Sequence, residues 1–180
     1  MKNRTIVLAL PDVNTRTREV LIFGVISIAS FIIPFLLGHP QWFVGTLVNS
    51  FLIVSAIFLP NKFILPIAVF PSLGLLARGL VFGPFTYFVI YFLPFIWLAN
   101  TAFIFLFKAI SRRTGFLPAI IIPALVKFLV LFVTANIYYS FRFVPSIFLQ
   151  TMGLFQLYTA LGGGLVAWLA YKAYILRFER

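Results

Sequence analysis

Three basic residues, Arg78, Lys127 and Arg142, lie within or at the end of apolar stretches long enough to cross a bilayer. The acidic residues all lie outside those stretches, and they are Asp12, Glu19 and Glu179. The stretches therefore offer no carboxylate for general acid–base catalysis, for holding Mg²⁺ or for relaying protons. This pattern argues against an enzyme, and it leaves positive charges without a negative partner in the membrane.

An unpaired cation near the centre of a bilayer costs about 2.5 to 3.5 kcal/mol on insertion scales, so each of these charges needs a partner. Lys127 could bond backbone carbonyls that Pro118 and Pro123 free, and Arg78 could extend to the lipid headgroups. Arg142 could be an interfacial anchor. The functional alternative is that these cations face a cavity open to the outside, which receives a carboxylate or phosphate.

Uncharged polar side chains accompany the cations. Asn49, Asn136 and Gln150 are expected in the outer halves of their spans, at the level of Arg78 and Tyr87. A few convergent polar groups among aromatic residues are typical of a small-molecule site, although an aromatic belt explains the tyrosine equally well. Asn100 is interpreted as a link between helices.

The single histidine, His39, lies in a Gly-His-Pro turn and is either a turn residue or a ligand contact. One histidine cannot hold zinc or haem without other ligands, and the chain has no cysteine. The sequence therefore predicts no metal and no cofactor.

The elements that must position these residues are six apolar runs in a chain that is 63% hydrophobic and 9% charged. About 20 apolar residues in a helix cross a hydrocarbon core of ~30 Å, so we expect an all-α membrane protein with six transmembrane helices. The third run contains Pro66 and Pro71, and we expect it to be kinked or partly unwound there. The predicted spans are 20–37, 42–59, 63–82, 85–107, 116–141 and 144–170.

Most of the 14 basic residues lie in the N-terminal segment, the second and fourth loops and the C-terminal tail. This bias predicts that both termini are cytoplasmic, in a multi-pass protein of the cell membrane. Residues 1–180 are read as a single domain, with 1–19 as a cytoplasmic segment and 171–180 as a basic tail. Because the cations lie at span ends, the net charge of +11 indicates membrane topology and contact with lipid, not a nucleic-acid partner.

Small residues mark surfaces where two helices could approach closely. They are Gly24, Ser27 and Ser30 in the first span and the Gly162–Gly163–Gly164 triplet in the sixth. Either a partner protein or another helix of this chain could occupy them.

The stretch from Leu73 to Thr86, followed by Pro94 to Asn100, resembles the substrate-binding S component of energy-coupling factor (ECF) vitamin transporters, as does the six-span architecture. The resemblance implies an outward-open vitamin site and a transmembrane partner subunit that works with ATPases. It implies docking through a small-residue pattern on span one, from which the spacing of Gly24, Ser27 and Ser30 departs. The ligand contacts that it implies are residues 38–42, which include Trp42, residues 82–84, Asn136, Arg142 and Gln150.

The residues alone lead to a compatible function, because the sequence contains no G-x-x-x-x-G-K-[ST] nucleotide loop and no intramembrane carboxylate for proton coupling. A transporter of this kind needs an external source of energy. We therefore expect a binding subunit that captures a small anionic nutrient. The alternative is a non-catalytic scaffold of a membrane assembly, resembling the cell-shape protein that accompanies the elongation machinery. A small membrane enzyme such as an acyltransferase is disfavoured because no nucleophile–base pair is evident.

Overall fold

The computed structural model describes residues 14–37, 39–82 and 88–178 of the chain, and within them every regular element is a helix. Six of the helical stretches are long and apolar enough to cross a membrane, which confirms the all-α, six-span prediction. A 3₁₀ turn, Asn61–Phe63, precedes the third span. The α-helices are α1 (Thr15–Leu36), α2 (Gln41–Phe58), α3 (Ile64–Phe82), α4 (Val89–Thr114), α5 (Pro118–Ser140), α6 (Ile147–Thr151) and α7 (Leu154–Phe178).

The sixth span differs from its prediction, because it consists of two helices rather than one. The five-residue helix α6 ends at Thr151, and α7 begins at Leu154 after a turn at Met152 and Gly153. A Cβ atom at Gly153 would collide with the carbonyl oxygen of Leu149, so the turn requires glycine. The turn gives the chain a short helical segment at one end of the bundle.

Pro71 lies inside α3, which the structure assigns as one helix from Ile64 to Phe82. Proline has no N–H and cannot donate to the carbonyl of Ile67 one turn earlier. The bend expected at this point stays a prediction.

The helices form a closed ring in the order α1, α3, α4, α5, α7 and α2, and α2 also contacts α4 across its middle. Successive spans alternate in direction, so the ring has two ends. We call the end with the α1–α2, α3–α4 and α5–α6 connections the distal end, and the opposite end, where the helical chain begins and finishes, the proximal end.

Two apolar cores stabilise the ring. The proximal core includes Leu52 of α2, Phe103 of α4 and Ala124 of α5. The distal core includes Ala99 of α4 and Leu131 of α5. Each of these three helices carries a buried polar residue beside or between its core positions, and those residues are Asn49, Asn100 and Lys127. A polar layer therefore separates the two cores.

The glycine triplet packs inside the chain. A Cβ atom at Gly163 would lie 2.6 Å from the Cβ of Asn49 and 2.7 Å from the carbonyl oxygen of Thr46, both on α2. A Cβ atom at Gly164 would lie 2.5 Å from Ile120 of α5. Of the two readings of the triplet, close packing between helices of the same chain is the one found.

The small residues of α1 are divided between two environments. Ser27 and Ser30 are buried within the chain, so they do not lie on a surface open to a partner. Gly24 faces open space, because nothing lies within 4 Å of the position its Cβ would take. Only Gly24 of the three residues is placed where a partner helix could approach, and docking there stays a prediction.

Candidate functional site

Lys127 is the centre of the polar layer. It lies on the inward face of α5, one turn from Ala124 and from Leu131, and only 3% of the residue is exposed. Its Nζ donates to Oδ1 of Asn49 at 2.6 Å and to Oδ1 of Asn100 at 2.7 Å. The ammonium thus links α5 to α2 and α4.

Both amide oxygens point at Lys127 because each NH₂ group is bonded elsewhere. Nδ2 of Asn49 donates to the carbonyl of Gly45 at 2.9 Å and to Oγ1 of Thr159 on α7 at 3.2 Å. Nδ2 of Asn100 donates to the carbonyl of Ala68 on α3 at 2.9 Å. The two acceptors for the ammonium are therefore held in place by contacts with other turns and other helices.

These bonds stabilise the ammonium without cancelling its charge. Hydrogen bonds to charged groups contribute about 1.5 to 3 kcal/mol each, so two of them offset an insertion cost of about 2.5 to 3.5 kcal/mol. The ring of Phe103, with its centroid 5.4 Å from Nζ, adds a cation–π contact. All three partners are neutral, and an ammonium has one more N–H to donate than the two bonds use.

A cavity of about 540 Å³ opens inside the ring, with Lys127, Asn49 and Asn100 in its wall. Two further basic residues in the wall are Arg78 and His39, and the wall as described includes no aspartate or glutamate. The cavity therefore presents a positive surface to whatever occupies it. Volumes of roughly 300 to 1,000 Å³ are typical of small-molecule sites.

Arg78 contributes charge to the cavity wall and also caps the C-terminal end of α1. Its Nη1 donates to the carbonyl oxygens of Phe35 at 3.0 Å and Leu36 at 2.8 Å. The last carbonyls of a helix have no intrahelical partner and carry a partial negative charge, so a guanidinium is favourable there. Lys108 makes the equivalent contact with α2, donating to the carbonyl of Leu59 at 2.9 Å.

The distal rim of the cavity is built by two glutamines around the end of α6. Nε2 of Gln41 and Nε2 of Gln156 both donate to the carbonyl of Thr151, each at 3.1 Å. The Oγ1 of Thr151 is buried and has no hydrogen-bond partner among the described residues. Thr151 as a residue lines the cavity, and an unsatisfied buried hydroxyl is a group that an additional hydrogen-bond partner would stabilise.

The structure brings four of the predicted ligand residues to the cavity, namely Arg78, Lys127, Asn49 and His39. It places four others outside the cavity lining. Asn136 donates to the carbonyl of Phe132 on its own helix, Gln150 and Trp42 are exposed, and Arg142 lines a separate surface pocket beside Tyr139. Tyr87, Gly38, Gly83 and Pro84 lie outside the described residues.

Gln41 lies in the range 38–42 that the family resemblance implied, and it lines the cavity. Sequence reasoning missed Thr151 and Gln156 as rim residues and gave Asn100 only a structural role. Thr151 was missed because the break in the sixth span was not predicted. Asn100 does link helices as interpreted, through Ala68, but its oxygen also accepts from Lys127. The sequence did contain a signal for the role of Asn100, because a buried Lys127 needs neutral hydrogen-bond acceptors at its own depth in the membrane.

Comparison of the chain with protein-family models, with curated proteins and with solved structures found no match.

Proposed function

We propose that this chain is the membrane-embedded substrate-binding subunit of an ECF-type importer, which captures a small anionic nutrient or vitamin from the outside. The observation that supports it best is the ammonium of Lys127, held by neutral amides in the wall of a cavity and left with its charge. A buried charge favours a partner of opposite sign, and a bound anion supplies one.

In this proposal the cavity opens on the outer side of the membrane. Its rim residues Gln41 and Thr151 belong to the distal end of the ring, which the positive-inside bias assigns to the outside. Both termini are then cytoplasmic, in the cell membrane. A nutrient enters from the outside and meets Lys127 in the interior.

In this proposal the energy for transport is supplied by other subunits. The sequence has no nucleotide-binding loop of the G-x-x-x-x-G-K-[ST] kind, so a partner transmembrane subunit with ATPases drives delivery. Gly24, which faces open space on α1, is a place for that partner to approach.

The test is native mass spectrometry of the full chain extracted in mild detergent. We expect a small anion at a one-to-one ratio in the unmodified protein and its loss in Lys127→Met, which keeps an unbranched side chain, one atom shorter, but removes the charge. The matched control is Lys172→Met, because Lys172 is exposed near the end of α7. A folded protein that carries no small molecule and copurifies only with other proteins would favour the scaffold function instead.

A further inference from the structure

The arrangement of polar and apolar residues along the cavity restricts the class of ligand further than the charge of the cavity does. Eight residues of α2 separate Gln41 at the rim from Asn49 beside Lys127, which at ~1.5 Å per residue places the two polar poles about 12 Å apart along the helix. The inner pole carries the basic side chain of Lys127. The rim pole offers the neutral groups of Gln41 and Thr151, and the guanidinium of Arg78 at the same end is already bonded to the last carbonyls of α1.

The wall between the two poles is apolar. Val44 and Val48 lie one turn apart on the same face of α2, between Gln41 and Asn49, and both are buried. Other apolar side chains complete the wall from α3, α4 and α6, including Leu75, Ile96 and Phe148. Apolar surface of this kind gains about 25 cal/mol for each Å² that a ligand covers, whereas a strongly hydrated group loses its water there without replacement.

The number of charges that the inner pole accepts is also limited. Lys127 is the only ionisable residue in the polar layer as described, and its neighbours there are amides whose NH₂ groups are already bonded to Gly45, Thr159 and Ala68. One ammonium neutralises one negative charge. A second negative charge at the same depth would be buried without a partner, which costs several kcal/mol.

We infer that the ligand is an amphipathic monoanion, such as a carboxylate on an apolar body, which enters with its charged end first. Its carboxylate accepts a hydrogen bond from Lys127, its body lies along Val44 and Val48, and a neutral polar group at its far end lies at the rim beside Gln41 and Thr151. This inference rests on the proposed function and narrows its substrate class.

The test measures binding of three probes to the full chain in lipid nanodiscs, with partition into empty nanodiscs subtracted. The probes are octanoate, its neutral isostere octanamide, and the small hydrophilic dianion succinate. Octanoate is expected to bind, to raise the midpoint temperature of unfolding, and to bind about tenfold to a hundredfold more tightly than octanamide, because only the anion brings a negative charge to the ammonium of Lys127. Lys127→Met is expected to remove this difference, and Lys172→Met to retain it.

Each other outcome overturns a stated part of the inference. Succinate binding more tightly than octanoate, in a way that depends on Lys127, overturns the apolar body but leaves anion capture in place. If octanamide binds the unmodified protein as tightly as octanoate does, both this inference and the proposed capture of an anion are overturned. This comparison uses only the unmodified protein, so it does not depend on the folding of a variant. Octanoate binding equally to Lys127→Met and the unmodified protein overturns the assignment of the inner pole.

Discussion

At the scale of single residues, the position of Lys127 shows what a sequence can and cannot reveal. The presence of a lysine in an apolar span predicts that something must compensate it, because an ammonium at that depth is costly. The residue that compensates the lysine depends on which faces of α2, α4 and α5 point inward. These helices are apolar around nearly their whole circumference, so no hydrophobic periodicity identifies the inward faces. Backbone carbonyls freed by Pro118 and Pro123 were one expectation; the acceptors found are Asn49 and Asn100.

The same limit explains the other predicted ligand residues. The sequence predicts how deep Asn136 and Gln150 lie in the membrane, because depth follows from the distance to the span ends. It does not predict which way their side chains point around the helix axis. Asn136 is turned towards its own backbone and Gln150 is exposed, so both miss the cavity lining.

Coupling between Asn100 and Lys127 can be measured by a double-mutant cycle. Asn100→Leu is expected to lower the free energy of unfolding by about 2 to 4 kcal/mol, since it removes one of two acceptors from a buried ammonium and the bond to Ala68. In the Lys127→Met background the same change should cost less, with a coupling energy of about 1 to 3 kcal/mol.

Denaturation of the protein in mixed micelles provides these free energies. Asn136→Leu is the matched control, because the amide of Asn136 bonds only within α5 in the described structure, and its effect should stay near about 0.5 kcal/mol. Equal costs of Asn100→Leu in both backgrounds would show that the two residues act independently.

At the scale of helices, length is the feature that sequence predicts best. Helices α2, α3 and α5 begin and end within two residues of the predicted bounds, whereas α1 begins five residues earlier than predicted, at Thr15, and α4 extends from Val89 to Thr114 rather than ending at Phe107. An apolar run must end where charges begin, but a helix can continue beyond the hydrocarbon, as α4 does through Arg112 and Arg113. The break at Gly153 was not predictable, because isolated glycines are common in continuous membrane helices.

The contact between α7 and α2 can be tested at Gly163. Gly163→Ala places a methyl group 2.7 Å from the carbonyl oxygen of Thr46 and 2.8 Å from the backbone nitrogen of Ser50, and backbone atoms cannot move aside as a flexible side chain can. We expect the free energy of unfolding to fall by about 1 to 3 kcal/mol.

Gly24→Ala is the control for this change, since it puts the same methyl group into open space on α1. Alanine is intrinsically the better helix former by about 1 kcal/mol, so this variant should be neutral or slightly more stable. Similar stabilities of the two variants in the same denaturation assay would contradict the close approach of α7 to α2.

At the scale of the whole molecule, the ring of six spans has an apolar exterior and, between two apolar cores, a polar layer around Lys127. The composition predicts the exterior, because a chain that is 63% hydrophobic must face lipid. It does not predict that α2 crosses the middle to meet α4, which is what brings Asn49 and Asn100 to the same lysine. Contacts between spans far apart in sequence carry no local signal.

The orientation of the ring is testable with single cysteines, because the chain has none of its own. Thr114→Cys lies exposed at the end of α4, next to the α4–α5 connection, and Ser146→Cys lies exposed before α6. A membrane-impermeant maleimide should label Ser146→Cys in intact cells and Thr114→Cys only after permeabilisation. The reverse pattern would place the cavity mouth in the cytoplasm and reject capture from outside.

The arrangement of the polar layer also bears on how the protein is made. Chains emerge from the ribosome with the N-terminal part first, so α2 and α4 precede α5 in biosynthesis. When Lys127 is released towards the bilayer, Asn49 and Asn100 have already been synthesised, and their side-chain oxygens can accept hydrogen bonds from its ammonium. Thr159, on α7, comes last and fixes the amide of Asn49 in place. The order of the helices along the chain thus lets a lysine that would be difficult to insert alone arrive after the groups that accommodate it.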